Sequence, residues 1–554
     1  MAESAASARN PMIEALSHTV FRRMWSASLF SNFGQLVQSV GAAWAMTELA
    51  GRADMVALVQ TATFLPMMLF ALSAGAIADT YDRRKVGIAG ICIAFSGATA
   101  LTVLGWTGQL SPFVLLLFTF VIGSGIALFG PSWQASVSEL VPPQSVGAAI
   151  SLNATSYNIA RSFGPAIGGT IVALGGAAAA FLVNAVFYLP MIAVLFFWKR
   201  SHEPGRLPPE RLNRAVVSGV RYVFHSPRIR VVLIRTVLTG TIGCAFQALM
   251  PLITRELLGG DATVYGVMLG CFGIGAVVGA FAITPLERRM DYERIVQLCS
   301  IVLGLAMLGA SQSGSRVLTG IMIGFAGTAW MISVTVFNIS IQTVLPRWVS
   351  GRALASFQTA IAGGIAIGAW IWGHVAESYG VSMSLAVAGG VTVLSALLAY
   401  GLRLPQQLET AEEATLLSEP EVDLELTPRS GPIVVEILYN VPRYRARAFY
   451  LTMQEVQLIR QRNGGYGWSI SRDIADPSVW KERFHCPTWL DYLRQRSRAT
   501  QAERDAIDRA NAFHEGDGPP IVRRLLERPF GSVRWREDVR ENQVSPIQPG
   551  AGSP

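Results

Sequence analysis

The chain has 554 residues, of which 51% are hydrophobic and only 15% charged, and its mean hydropathy is +0.39. Those values exclude an ordinary soluble enzyme and favour a polytopic membrane protein set in a lipid bilayer. The formal net charge of +8 is no sign of a nucleic-acid partner, because much of the basic excess, from Arg429 to Arg540, lies in a polar tail beyond the last apolar stretch.

Taken in chain order, apolar runs long enough to span a bilayer recur twelve times, at 24–47, 55–78, 86–107, 112–134, 147–174, 177–198, 232–254, 263–284, 295–314, 317–343, 352–375 and 381–402. The first run is long enough to be a retained span rather than a cleaved signal. Basic residues sort by side. Arg9, Arg22, Arg23, Arg83, Arg84, Lys85, Arg288, Arg289, Arg294, Arg347, Arg352 and Arg403 fall on one side, and Arg52, Arg255 and Arg316 on the other. The positive-inside rule then places both termini in the cytoplasm and the chain in the cytoplasmic membrane.

The central loop, 199–230, carries eight basic and two acidic residues. Leu212, Val216, Val220 and Tyr222 alternate with Arg211, Arg214 and Arg221 at helical spacing, as in a helix lying on a membrane surface. On either side of this loop the chain repeats itself. Gly75–Lys85 aligns with Gly279–Arg289, and the same offset of 204 residues carries Pro142 to Pro346, Gly147 to Gly351, Thr155 to Thr359, Gly164 to Gly368 and Gly169 to Gly373. Two six-span halves related by an internal repeat are the construction of rocker-type secondary transporters, with the substrate between the halves near the midplane.

Polar residues inside the spans mark the expected cavity. They are Asn32, Gln35, Gln38, Trp44, Gln60, Asn153, Asn158 and Arg161 in the first half, and Gln247, Asn338, Gln342 and Gln358 in the second. Arg161 is the most costly of them. An arginine at the bilayer centre costs about 2.5–3.5 kcal/mol even on lenient scales, so it must face water or a polar partner. Three residues later Gly164 and Pro165 predict a kink, since proline removes a backbone hydrogen bond. With no Asp or Glu in mid-span, this is a largely neutral pocket with one fixed positive charge, suited to a neutral or anionic amphipathic molecule. Arg235, at the start of the seventh span, is expected to snorkel to the interface. Glu48, Glu139 and Glu377 fall near span ends, and His374 is expected to be a satisfied polar residue.

No catalytic set is visible, and no cofactor or metal is expected. Of the five cysteines, Cys92, Cys244, Cys271, Cys299 and Cys486, none forms a close pair. Without a phosphate-cradling GxxxxGK[ST] loop, energy must come from an ion gradient, for which protons are the expected ion.

Several motifs are now specific. Gly75, Asp79, Asp82, Arg83, Arg84 and Lys85 resemble motif A of the major facilitator superfamily, which usually has glycine where this chain has Asp82; in the family this cluster locks the cytoplasmic gate. Gly164, Pro165, Gly168 and Gly169 resemble motif C of its exporters, with Ala160 in place of the leading glycine. Phe21, Trp25, Ser31, Asn32, Gly34, Gln60, Leu65, Pro66, Pro131, Trp133, Gln134 and Glu139 to Pro142 extend the likeness to the enterobactin-exporter-like branch, the transmembrane secretion effectors. The resemblance runs through both halves and into the tail. It departs at Thr119, where many proton-coupled members have an arginine.

Residues 404–429 read as an acidic linker. Beyond it, 432–441, 466–472, 479–485 and 521–526 read as strands, while 444–462, 489–498 and a helix capped by Thr500 and Glu503 read as helices. This βαββαβ order is ferredoxin-like. The tail of the secretion-effector branch is similar. It resembles small antibiotic-biosynthesis-monooxygenase-like domains, which commonly pair as dimers, so dimerisation through this domain is implied. His485, Trp489 and His514 read as core or interface residues.

The expected architecture is therefore an all-α membrane bundle of twelve transmembrane helices with the major facilitator fold, followed by a soluble α+β domain. Its divisions are 1–198, 199–230, 231–403, 404–429, 430–530 and a disordered 531–554. The expected function is proton-coupled export of siderophore-like or drug-like amphipathic molecules by alternating access, rather than an enzymatic one. The alternatives are import by symport, and a membrane-tethered sensor or oxygenase acting through the tail.

Overall fold

The structure, a computed structural model, describes residues 11–137, 139–142, 145–198, 221–222, 224–344, 350–405, 422–497, 501–516 and 518–527. The chain divides into two compact units. One takes in residues 1–216, 228–342 and 351–408, and the other 217–227, 343–350 and 409–554.

The first unit is helical. Its elements are α1 (Pro11–Ser17), α2 (Thr19–Ala50), α3 (Ala53–Thr80), α4 (Arg83–Trp106), α5 (Pro112–Val137), α6 (Val146–Phe197), α7 (Pro227–Gly243), α8 (Ala245–Leu252) with a π turn at Ile253–Leu257, α9 (Ala262–Glu287), α10 (Tyr292–Ser311), α11 (Arg316–Val344), α12 (Ser350–Tyr379) and α13 (Val381–Leu394). Among the described residues, ten helices are long and apolar enough to cross a membrane. Phe113, Leu117, Ile274, Phe281, Leu305 and Ile321 stand exposed on their flanks. Helices apolar all round, with backbone bonds closed within each segment, are what hydrocarbon admits.

The expected spans 147–174 and 177–198 are two helices that meet within α6 at Gly176, whose φ of 73° glycine adopts without steric cost. Pro165 lies inside the first of them. One expectation changes here: Arg235 does not snorkel. It is 1% exposed, and its guanidinium binds the Glu293 carboxylate and the Leu402 carbonyl. Glu293 also accepts from the Leu404 backbone N–H at 2.8 Å. A charge this deep persists only when paired and hydrogen-bonded.

In the second unit, β1 (Ile433–Asn440), β2 (Tyr466–Arg472), β3 (Val479–Cys486) and β4 (Ile521–Leu526) form one antiparallel sheet in the order β2-β3-β1-β4. Helices α14 (Ala446–Arg462), α15 (Trp489–Ser497) and α16 (Gln501–Asn511) lie between the strands in sequence. Along β3 the burial alternates strictly, with Trp480, Glu482, Phe484 and Cys486 inward. These meet Ile433, Val435, Ile437 and Tyr439 of β1 and Phe449, Met453 and Val456 of α14. Each fully buried side chain of that size contributes about 1.5–3 kcal/mol. Glu482, fully buried, is held by Arg460, Trp468 and Tyr439.

The linker residue Tyr222 belongs to this second unit and is buried in it, under the Arg462 guanidinium. That burial pushes its hydroxyl pKa well above the usual range. Of the helix expected in the central loop, Arg221, Tyr222 and 224–226 are described, with the His225 N–H donating to the Arg221 carbonyl at 3.0 Å; its earlier residues lie outside the described ones, as does Thr500.

Candidate functional site

The polar residues expected to line a cavity divide into two groups. Some close bonds within one half. Gln38, almost fully buried, accepts from Asn184, a residue of α6 that periodicity did not single out. Asn153 accepts from the Trp133 indole at 2.9 Å, and Gln342 donates to Asn338 one turn away on α11. Asn32 donates to Ser156 at 3.3 Å. Gln35, Gln60, Gln247 and Gln358 are half-buried. The Asn158 side chain lies outside the described residues.

The others lie between the halves. The Arg161 guanidinium of α6 is 3.9 Å from the Met331 sulfur of α11, a soft and weak acceptor. Trp44 stacks on Tyr265 of α9 at 6.0 Å between ring centroids, while its indole N–H donates to Glu48 at 2.7 Å.

Glycines bring the helices this close. A Cβ on Gly164 or Gly168 would press on Leu36, Val37 and Val40 of α2, so these two positions seat α6 against α2 within the first half. A Cβ on Gly169 would lie 2.5 Å from the Gly266 Cα of α9, across the divide. Its repeat counterpart Gly373 packs in the same way against Ala57 of α3. The repeated glycine thus makes the same inter-half approach twice, a small-residue seam of the kind helices use in lipid.

Around these two seams the halves are joined at one end. The Thr61 hydroxyl donates to the Ala366 carbonyl at 2.9 Å, and the Arg255 guanidinium to the Thr47 carbonyl. The backbone N–H of Ala53 donates to Glu377 at 2.7 Å. Beneath them Ala57, Ala248 and Ala369 form a sealed apolar cluster.

At the opposite end, which carries the basic turns, the described ion pairs stay within a half. Asp82 caps α4 by accepting from the Arg84 N–H at 2.9 Å. Arg83 donates to the Ala135 carbonyl at 2.8 Å and to Glu139 at 2.6 Å, and Arg84 to the carbonyls of Leu195 and Phe196 at the end of α6. Cationic groups at helix C-termini meet the negative end of the helix dipole. Gly75 is half-buried, and the Asp79 side chain lies outside the described residues, so Glu139 is the carboxylate seen with Arg83. Arg235 with Glu293 is the corresponding bond inside the second half.

In the tail, His485 stacks on Tyr466, Trp489 packs against the sheet core, and His514 accepts from the Asn440 N–H at 2.8 Å. Among the described residues no group of three His, Cys, Asp or Glu side chains could hold a metal ion. The described geometry is thus two helical halves that meet through glycine seams and hydrogen bonds at one end.

Comparison with known proteins agrees with this geometry. The family model described as transmembrane secretion effector matches residues 11–530. The staphyloferrin A transporter of Staphylococcus aureus is 24% identical over 391 residues, 70% of this chain and 97% of its own. The multidrug efflux pump Tap of Mycobacterium tuberculosis is 22% identical over 402 residues, 70% of this chain and 95% of its own. Among solved structures, the D-xylose–proton symporter superposes with a TM-score of 0.56 at 13% identity, covering 70% of this chain and 98% of that one.

Proposed function

The chain belongs to the transmembrane secretion effector family of major facilitator transporters, and on that premise we propose that it exports amphipathic small molecules by proton-coupled alternating access. The observation that carries this reading is the one-sided seal. Among the described residues, bonds between the halves gather at the end of Glu48, Ala53 and Glu377, while the ion pairs of the basic end, Arg83 with Glu139 and Arg235 with Glu293, lie inside a half. If the basic end is cytoplasmic, the structure is the inward-facing state of an exporter awaiting its cargo.

The span count we propose is twelve. Besides the ten apolar helices, the break at Gly176 divides α6, and α2 adds a span whose Asn32, Gln35 and Gln38 lower its hydropathy. The tail is proposed to be ferredoxin-like, for which its strand order is the support, and to be a dimerising or regulatory module of this exporter. Relatives named for staphyloferrin A and for multidrug efflux support siderophore-like or drug-like cargo. Arg161, the one cation between the halves in mid-span among the described residues, favours neutral or anionic amphipaths.

The test uses everted membrane vesicles holding the full chain, energised to acidify their lumen and offered a panel of carboxylate siderophores, macrolides and cationic dyes. Uptake into the lumen that collapses with the proton gradient is the expected result. Loss of preloaded compound on energising would mean import, and no movement of any compound, with activity confined to the tail, would overturn the transport reading.

A further inference from the structure

The internal repeat predicts two equivalent seams at the sealed end, and the structure has two. One lies between α6 and α9, at Gly169 and Gly266, and the other between α12 and α3, at Gly373 and Ala57. They differ in chemistry. Beside Gly373, one turn on along α12, stands Glu377; at the repeat offset of 204 residues its counterpart beside Gly169 is Ala173. At the α6–α9 seam the described carboxylate, Asp261, caps its own helix by accepting from the Val264 N–H at 3.1 Å.

The Glu377 carboxylate reaches across the divide. Glu377 accepts from the Ala53 N–H at 2.7 Å, and Ala53 is the first residue of α3. The first N–H groups of a helix have no partner inside it, and the helix dipole is positive there. The N-cap residue Arg52 makes no side-chain cap of its own, so α3 takes its terminal acceptor from the other half. Arg52 also lies 3.9 Å from Glu377 and is itself oriented by Asp54 at 2.7 Å.

The remaining charges nearby compete with one another. Glu256, of the π turn after α8, repels Glu377, and Asp54 is engaged by Arg52. Glu48 is engaged by Trp44 and Arg255 by the Thr47 carbonyl. None of these replaces the bond from Ala53. Charge-assisted hydrogen bonds of this kind are among the stronger ones.

We propose that Glu377 is the gating residue of the sealed end: by capping α3 from the opposite half it holds the closed state, and its release from Ala53 and Arg52 opens that end. The inference rests on the alternating-access reading above and names the residue that sets its balance. The α6–α9 seam, where Gly169, Gly266 and their neighbours are in contact and no hydrogen bond crosses among the described residues, then separates without breaking a polar bond. Opening proceeds from the loss of one capped helix terminus.

The experiment uses the full chain in lipid nanodiscs with its native cysteines replaced. Spin labels at Gln109→Cys and Gln312→Cys report the distance between the halves at that end. Wild type is expected to populate a short and a long distance, the short one dominant. Glu377→Ala should raise the ratio of long to short about fivefold or more, Arg52→Ala should raise it less, and Glu377→Asp should restore most of the short population. Wild-type distances in Glu377→Ala, in protein that remains folded and monodisperse, would overturn the gating assignment while leaving alternating access standing. A single distance in wild type under every gradient and substrate tested would overturn alternating access itself, and the gate with it.

Discussion

The two ends of the membrane unit are built from the same repeat and hold together in opposite ways. At the basic end Arg83, Arg84 and Arg235 bind carbonyls and carboxylates of their own half. At the other end Ala53, Thr61, Arg255 and Gly169 meet partners of the other half. On the alternating-access reading proposed above, bonds inside a half persist through the cycle, while bonds between the halves break once in each. Of the latter, those from Thr61 and Arg255 end on backbone carbonyls and that from Ala53 on the Glu377 carboxylate. That reading gives stability to one end and switching to the other.

Substitutions can break that division or sharpen it. The largest effect is expected from Arg235→Ala, which removes the buried guanidinium and leaves Glu293 without its cationic partner. Removing one partner of a buried pair costs about 3–5 kcal/mol, so thermal unfolding in detergent should fall sharply. Unchanged unfolding would mean that the basic end does not stabilise the half.

Gly169→Val comes next. Its Cβ would sit 2.5 Å from the Gly266 Cα, and overpacking of this kind costs about 1–3 kcal/mol. The cost falls on the sealed state alone, so transport should drop about tenfold with little loss of folded protein. A matching fall in thermal stability would show that the seam belongs to the rigid frame instead.

Arg161→Ala and Arg161→Lys are expected to reduce transport several-fold while leaving expression near wild type, with anionic cargo affected more than neutral. Wild-type rates in both variants would remove Arg161 from the path. Trp44→Phe keeps the stack on Tyr265 and loses only the bond to Glu48. One hydrogen bond contributes about 1 kcal/mol, but Glu48 lies on α2 with Trp44, so the populations read by the same spin-label pair should stay near wild type; a shift toward the unsealed state would show that Glu48 acts across the divide. The smallest effect is expected from deleting residues 430–554, after which transport measured in vesicles should survive. Its abolition would move the function toward the tail.

Much of this fold could be read from the chain. Apolar runs give the helices because hydrocarbon leaves the backbone no partner but itself. The alternation in Val479–Cys486 gives a strand because one face of it must be dry. The repeat was legible too, and with it the positions of Gly169 and Gly373. The sites were less so. Gln38 reads as a cavity amide, but it is spent on Asn184, 146 residues away. Arg235 reads as a snorkelling residue, but Glu293 lies near enough to hold it in the interior. Residues 324 positions apart in the chain, Ala53 and Glu377, make the bond that distinguishes one seam from the other.

The sequence by itself determined that this is a membrane bundle with an internal repeat and a polar α+β tail, because periodicity, hydropathy and repeat offset are local or one-dimensional quantities. Only the tertiary structure decided which polar groups are spent inside a half and which span the two. Pairing depends on which helices touch and at what height, and a linear pattern of amides and charges carries no record of that.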